Sequence, residues 1–358
     1  MTITEQARPA NEVRLVSRAR GVLGAVGASS LLLAILTVIV VFTFSALGNF
    51  ALLNAPYDAT YLADSLINFV PLALLGLAEM FVIVSGRGGI DLSVGAIVSF
   101  AGMAFGFTYG EWSWPLWAAI VIAVGAGAMC GLINGVLTVY LQLPALIATL
   151  GTYYVFESLS LVINNNHPIS GGRISAFYTS ASSVHLPWLG SALPAIPLGM
   201  FTFLLPTSVA AWLLLTRAVY GRQLFAVGTN DIAGTWAGVP VRRTRVLAYV
   251  LAGMIAGLVA IVTVGQFASA RPDAGTSGVG MTLPAITIAV LGGVAITGGV
   301  ARVSGVLLAA LLITWLNAGL LLLFPGDLGS QTKLLALALV LILAALTNQF
   351  WRGRRRAA

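Results

Sequence analysis

The sequence predicts an all-α membrane protein, a polytopic bundle of about ten transmembrane helices. Of its 358 residues, 59% are hydrophobic and only 8% are charged, and the mean hydropathy is +0.98. Soluble domains carry about 25% charged residues, so a soluble fold of this size could not cover its surface with so few. The apolar runs are continuous over about 20 residues, the length of a spanning helix, and lack the alternation of barrel strands.

The first apolar run, at 27–47, follows the arginine-rich N-terminal segment. It is longer than the apolar region of a signal peptide and has no clear cleavage site between small residues, so we predict an uncleaved first helix. Among the spans that follow, the third and the eighth are short and contain glycine. The ten predicted spans are 27–47, 62–84, 93–109, 116–140, 145–163, 197–216, 246–267, 283–299, 303–323 and 332–350.

The basic residues indicate how the bundle is oriented. With the N-terminus in the cytoplasm, all but three of the 18 Lys and Arg residues lie in cytoplasmic segments, as the positive-inside rule expects. The three exceptions are Arg173, Arg271 and Lys333. The excess of basic residues, which gives an isoelectric point of about 10.0, is therefore interpreted as a topology signal and as a source of attraction to anionic lipid. It does not indicate a nucleic-acid partner.

The chain is predicted to form one transmembrane domain, 27–350, between a cytoplasmic N-terminal segment, 1–26, and a basic cytoplasmic tail, 351–358. A long cytoplasmic loop, 217–245, divides the spans into five plus five. This division allows an inverted structural repeat, although the sequence shows no strong repeat of residues. A second long loop, 164–196, is expected outside.

A polar segment, SGRGGIDLSVGA at Ser85–Ala96, interrupts two apolar runs. Its first glycines are expected to end one helix, since glycine adopts turn conformations at low cost. Asp91 or Ser93 can then accept hydrogen bonds from the free amides that begin the next helix. A tight capped turn and a broken helix lining a translocation path both fit, and the two interpretations are compatible. The candidate path residues here are Gly88, Gly89, Asp91, Ser93 and Gly95.

The cytoplasmic loop has an unusual composition for a connector. It contains a short helical stretch, 231–237, which Asn230 or Asp231 can cap, and it has small residues that would let another surface approach closely. Connections between helices are normally shorter. We therefore predict that this loop docks a partner.

A third glycine-rich segment runs from Ser269 to Gly305. A polar exterior loop is predicted to lead into a helix that has Pro284 in its first turn and ends at Gly298 and Gly299. Small residues here permit close helix crossing. The alternative is a second path-lining break, for which Gly292 and Gly293 are the candidates.

Two carboxylates, Glu79 and Glu157, lie within predicted spans. Ionisable residues inside a membrane are costly and are often functional, so both are candidates for contact with a substrate, the alternative being hydrogen bonding within the bundle. His167 and His185 are expected to be surface residues of the exterior loop. The single cysteine, Cys130, excludes an intrachain disulfide, and no nucleotide-binding, metal-binding or nucleophile motif is present.

These motifs resemble a known family. GGIDLSVG at 88–95, YGRQLFAVGTNDIAGTWAGVPVRR at 220–243 and VLGGVAITGG at 290–299 are similar to the motifs of bacterial ABC importer permeases for ribose, xylose, arabinose and related sugars. The resemblance covers about 67–323. It implies the type II importer fold and assigns the cytoplasmic loop as the family's ATPase-coupling loop. The coupling residues on this reading are Gly221, Arg222, Gly228, Asn230, Asp231, Ala237 and Gly238.

The resemblance also implies partners. These are a second permease subunit, identical or not, a cytoplasmic ATPase and a periplasmic sugar-binding protein that delivers the solute. The chain itself would be no enzyme and would hold no cofactor, since ATP and Mg²⁺ would bind to the ATPase. It would lie in the bacterial inner membrane with both termini in the cytoplasm.

Three other functions are weighed against this one, and the first, a non-transporting membrane scaffold, would need no glycine breaks in its spans. A secondary transporter would run on a proton or sodium gradient, but it needs a cluster of midplane carboxylates, and only Glu79 and Glu157 are available. The branched-chain amino-acid permeases of the same superfamily are expected to lack the GGIDLSVG segment.

Overall fold

The computed structural model describes residues 10–181, 183–184, 196–277 and 280–357, and these are predominantly helical. His185 lies outside the described residues. The helices are α1 (Ala10–Asn49), α2 (Ala59–Val84), α3 (Val94–Phe105), α4 (Leu116–Val139), α5 (Ala145–Val162), α6 (Gly172–Ala181), α7 (Leu205–Thr216), α8 (Val219–Thr229), α9 (Asp231–Trp236), α10 (Val241–Phe267), α11 (Thr282–Leu291), α12 (Val303–Leu323) and α13 (Asp327–Ala357).

Seven of the described helices are long and apolar enough to cross a membrane, and the number is eight if the bent pair Met200–Thr216 and Val219–Thr229 is counted as one span. This confirms an all-α, multi-pass membrane protein, but ten full-length spans are not confirmed. The predicted third span is a 12-residue helix, α3, that continues as a π-helical turn, Gly106–Glu111.

The predicted eighth span, 283–299, is wrong in its second half. Helix α11 has 10 residues and ends at Leu291, and the backbone then turns through Gly293, Gly298 and Gly299, which all have positive φ angles. A residue without a Cβ adopts this region at little cost. The apolar run therefore contains a half-length helix followed by a turn, and not one spanning helix.

Helices α2 and α10 form the centre of the bundle. In the apolar stretch of α2, 83% of the residues are buried inside the protein, and in that of α10 the share is 67%. Helix α10 packs closely along α4, because glycines face each other: a Cβ at Gly127 would collide with the backbone oxygen of Gly253. Such contacts between small residues let membrane helices approach without side chains between them. By contrast, only 28% of the residues in the apolar stretches of α4 and α5 are buried, and large apolar side chains are exposed there, as is expected for surfaces facing lipid or another subunit.

The loop predicted to lie outside the membrane contains α6 and a short antiparallel pair, β1 (Ser183–Val184) with β2 (Ile196–Pro197). An isolated bridge between Ile169 and Ala270 fastens the start of this loop to the segment after α10. His167 is exposed, as predicted.

Candidate functional site

Three glycine-rich segments that are far apart in the sequence meet at one end of the bundle. They are the break after α2, the end of α8 and the turn after α11. A Cβ at Gly86 would lie 3.0 Å from Cα of Gly228, and one at Gly298 would lie 2.5 Å from Cα of Gly86. We call the contact between Gly86, Gly228, Gly298 and Gly299 the glycine junction.

The glycine junction depends on the absence of side chains. Gly86, Gly298 and Gly299 have φ angles of 82°, 92° and 76°, a region that favours glycine. The backbone N–H of Gly299 donates to the oxygen of Val84, the last residue of α2, over 3.0 Å. The two helix breaks and the loop helix are therefore joined backbone to backbone, and little movement of one is possible without movement of the others.

An ionic cluster strengthens the same contact. Asp231, the first residue of α9, pairs with Arg87 at 2.7 Å and with Arg245 at 3.3 Å. The side chain of Arg87 is 69% exposed whereas that of Arg245 is 9% exposed. Arg245 also donates from Nε to the backbone oxygen of Ser85 over 3.1 Å. Partial burial raises the pKa of the Asp231 carboxyl, but the charges of Arg87 and Arg245 outweigh this effect and hold the pKa below its usual value.

Helix α9 begins as the sequence predicts and presents an apolar face. The side chain of Asn230 accepts from the backbone N–H of Ala233 at 3.0 Å and caps the helix. Ile232 and Trp236, four residues apart and so on one face, are 68% and 88% exposed. Two large apolar side chains at this spacing are a signal that the sequence analysis missed, since it selected the small, polar and charged residues of the loop.

The remaining predicted loop residues are spread around this face. Gly221 is buried beneath the carbonyl groups that end α7, where the chain bends by 69° into α8. Arg222 is exposed on α8, Ala237 is exposed at the end of α9, and Gly238 has a φ of 76° with no atom within 4 Å of a Cβ placed there.

A cavity of about 790 Å³ opens beside the junction, between the break after α2, the turn joining α4 to α5, and the start of α10. Four arginines and one carboxylate are among its lining residues: Arg87, Arg242, Arg243, Arg245 and Asp231. The cavity is therefore strongly basic.

The beginnings of α3 and α11 meet deeper in the bundle. The N–H of Gly95 donates to the hydroxyl of Thr282 over 3.2 Å, and the N–H of Gly275 donates to Ser99 over 3.0 Å. A Cβ at Gly95 would lie 2.5 Å from the oxygen of Gly275. The two half-length helices thus face each other at their N-terminal ends through glycine.

Asp91 and Ser93 are fully buried in a hydrogen-bond network. Asp91 Oδ1 accepts from the N–H and the hydroxyl of Ser93, at 2.9 and 2.7 Å, and both carboxylate oxygens accept from Asn134 of α4 at 3.2 Å. Ser93 occupies the N-cap position of α3 but makes no capping hydrogen bond, because its hydroxyl donates to Asp91 and accepts from the Asn134 amide at 2.7 Å. Asn134 was not identified from the sequence, since one amide in an apolar run has no pattern.

The other predicted path residues have varied surroundings. Glu79 of α2 is fully buried, and the backbone N–H of Asp91 points to its Oε2 at 3.4 Å. Glu157 of α5 is partly exposed and accepts from Tyr153, one turn away. Gly88 is exposed, whereas Gly89 is buried against the carbonyl of Val82.

Gly292, which ends α11, is buried against Gly305 and Val306 of α12. Gly293 follows it with a φ of 87°. Within the described part of the chain, no group of three or more His, Cys, Asp and Glu residues is arranged to hold a metal ion.

Comparison with known proteins adds family information to this geometry. Residues 61–346 match the family described as branched-chain amino acid transport system / permease component. The chain is 35% identical over 290 residues to the autoinducer 2 import system permease protein LsrD of Photorhabdus temperata, covering 79% of this chain and 83% of the relative. The LsrD protein of Yersinia enterocolitica is 33% identical over 299 residues, covering 83% and 87%. That of Salmonella typhimurium is 33% identical over 265 residues, covering 74% and 76%. No solved structure matches the chain.

Proposed function

The chain belongs to the permease-component family of branched-chain amino acid transport systems, and from this membership we propose how it works and what it carries. It is the permease subunit of an ABC importer for small polar solutes and is not an enzyme. We propose that it forms the translocation path for a sugar or a similar solute, which a periplasmic binding protein delivers. Two copies, or one copy and a related subunit, would enclose this path, and a cytoplasmic ATPase would bind ATP and Mg²⁺.

The glycine junction is the observation that carries the proposal. A permease without a nucleotide site must receive energy from outside, and here the loop helix α9 is linked by Asp231, Arg245 and Gly228 to both helix breaks. Displacement of α9 by the ATPase would move the end of α2 and the end of α11 together. Alternating access requires two packings of similar energy that such a displacement can bias.

The exposed face of α9 supports a docking role. Ile232 and Trp236 would enter an apolar groove of the ATPase, since buried aromatic anchors contribute most of the binding energy in protein interfaces. Arg222 on α8 would lie at the edge of that contact. On this proposal the junction lies at the cytoplasmic end of the bundle, which agrees with the positive-inside rule. The protein would then lie in the bacterial inner membrane with both termini in the cytoplasm.

The helix breaks support the assignment of the path. Half-length helices in transporters present free backbone groups to a substrate near the middle of the membrane. The proposed path residues are Gly88, Gly89, Asp91, Ser93, Gly95, Gly292 and Gly293. Two carboxylates are added to this set, the buried Glu79 and the partly exposed Glu157. Because Asp91 and Ser93 are buried within one subunit, they would act by shaping the break and not by touching the solute.

The relatives favour one class of substrate. They are import permeases for autoinducer 2, whereas the family description refers to branched-chain amino acids. We propose that the solute is neutral, rich in hydroxyl groups and closer to autoinducer 2 than to a branched-chain amino acid. The GGIDLSVG segment at 88–95, which we expect branched-chain amino-acid permeases to lack, supports this choice.

The experiment is reconstitution in liposomes with the partner ATPase and the partner binding protein. ATPase activity should rise when the binding protein is loaded with its solute, and the solute should accumulate only when ATP is present. Concentration of solute by the chain alone, driven by an ion gradient, would overturn the proposal. Ligands that raise the melting temperature of the binding protein identify the solute, and stabilisation by leucine or isoleucine would contradict the sugar-like class.

A further inference from the structure

We propose that Glu79 is a proton-binding site: its carboxyl group holds a proton while the break after α2 is packed as it is in this structure. This inference goes beyond the proposed function, since solute import driven by ATP does not require it. It follows from the burial of two carboxyl groups in one region of the bundle, from the hydrogen-bond donors that stabilise only Asp91, and from the lack of a cation facing Glu79 among the described residues.

Glu79 and Asp91 both have an exposure of 0%. They belong to one small region, because the backbone N–H of Asp91 faces Oε2 of Glu79 at 3.4 Å. Two ionised carboxylates this close in a water-excluded site would repel each other, and each would also lose its hydration. At least one of the two negative charges must therefore be neutralised.

Asp91 is the member of the pair that is built to keep its charge. It accepts from the N–H and hydroxyl of Ser93 and from the amide of Asn134. The orientation of that amide is fixed, since Thr152 donates to Asn134 Oδ1 at 2.6 Å. A carboxylate that accepts several hydrogen bonds is stabilised in its charged form.

Glu79 has no comparable support. Its Oε1 is buried and has no hydrogen-bond partner among the described residues, and its Oε2 receives only the long contact from Asp91. A protonated carboxyl group leaves no buried charge and can donate one hydrogen bond. A proton on Glu79 therefore removes the repulsion and the cost of burial at once.

No cation from the elements packed against α2 takes this role in the described structure. Helices α11 and α12 contain no ionisable side chain. Helix α10 brings Tyr249 near both carboxyl groups, and its Arg245 is bound to Ser85 and Asp231. Helix α8 contributes Tyr220, which faces the backbone oxygen of Thr244, and the exposed Arg222. Cys130 of α4 lies near Asp91, and a cysteine side chain supplies no positive charge.

The position of Glu79 links its proton to the junction. It lies six residues before Ser85, on the helix whose end contacts Gly228 and Gly299. A rearrangement of the break that admitted water to Glu79 would release the proton, and repacking would take it up again.

The test compares thermal unfolding of the purified chain and of Glu79→Gln between pH 5 and pH 8, in the same detergent. Glutamine keeps the shape and the donor of the protonated acid but cannot ionise. Because the native state holds a proton that the unfolded state releases, wild type should lose stability relative to Glu79→Gln as pH rises, by about tenfold in the folding equilibrium constant per pH unit. Glu157→Gln, which alters a partly exposed carboxylate, is the matched control and should follow wild type across the range.

Parallel curves of stability against pH for wild type and Glu79→Gln would overturn the proposal. So would a stabilisation by Na⁺, compared with choline, that is seen in wild type and missing in Glu79→Gln, since a bound sodium ion would then neutralise the pair. If Glu79→Gln does not insert, infrared spectra of wild type and Glu79→Met decide the question. The carbonyl band of a protonated carboxylic acid should be present in wild type, should remain in Glu157→Gln and should be missing in Glu79→Met. A spectrum of wild type without this band would contradict the assignment.

Discussion

Arg245 donates a hydrogen bond from Nε to the backbone oxygen of Ser85 over 3.1 Å while its Nη2 contacts Asp231 at 3.3 Å. One buried guanidinium therefore holds the end of α2 and the start of α9 together. The geometry uses two different nitrogens of a planar group, which the single ammonium of lysine cannot reproduce. The loop and the break after α2 are thus fixed to each other by a side chain as well as by the glycine junction.

Replacement of Arg245 should separate the loop from the bundle. Arg245→Ala loses two hydrogen bonds from a charged donor, so we expect a loss of stability of about 1.5–3 kcal/mol together with a large loss of transport. Arg245→Lys should recover only part of each. Arg87→Ala is the matched control, because the exposed Arg87–Asp231 pair is screened by solvent and contributes less than about 1 kcal/mol. Thermal unfolding and uptake in liposomes measure both effects, and equal losses for the Arg87 and Arg245 variants would refute this ranking.

Gly228 tests the glycine junction directly. It lies inside helix α8, where alanine is favoured over glycine by about 0.5–1 kcal/mol, yet a Cβ there would collide with the oxygen of Val84 and the backbone of Gly299. Gly228→Ala should therefore lower transport strongly despite the better helix former. Gly151→Ala in α5 is the control, since no atom lies within 4 Å of its added Cβ. Normal uptake by Gly228→Ala would show that the junction is not needed for coupling.

The sequence predicted the long helices well, because a continuous apolar run in lipid has few alternatives to a helix. The predicted span 303–323 coincides with α12, and 116–140 differs from α4 by one residue. The predicted span 283–299 runs through the turn after α11, although Gly292 and Gly293 were candidates for a break, since irregular backbone is tolerated at membrane depth when protein surrounds it. The loop at 217–245 and the polar break at Ser85–Ala96 each stand out in the sequence, but their contact through Gly86 and Gly228 could not be predicted, because no local pattern records which distant segments touch.

Asp231 gives the loop a defined pH response. Its pKa is raised by partial burial but lowered more by Arg87 and Arg245, so in the folded protein it lies below the usual value of about 3.9. The stabilisation from its charge is fully present above that usual value and is lost as pH falls through the lowered one. Melting temperatures of wild type should therefore exceed those of Asp231→Asn at neutral pH and converge with them in strong acid. A difference that stays constant down to strong acid would contradict an ionic role.

Trp236 and Ile232 separate docking from folding. Because their side chains are 88% and 68% exposed, alanine at either position should leave the melting temperature of the purified chain nearly unchanged, as surface substitutions usually do. Loss of a large aromatic anchor from an interface costs about 2 kcal/mol or more, so Trp236→Ala should weaken binding of the ATPase at least about tenfold. Trp117→Ala removes another exposed tryptophan, at 70%, from α4 and should bind the ATPase as wild type does. Full ATPase binding by Trp236→Ala would place the docking surface elsewhere.

Gly234 provides a graded test on the buried side of α9. Gly234→Ala has room for its Cβ, because the nearest atom lies at 3.8 Å. Gly234→Trp should displace the helix and abolish transport.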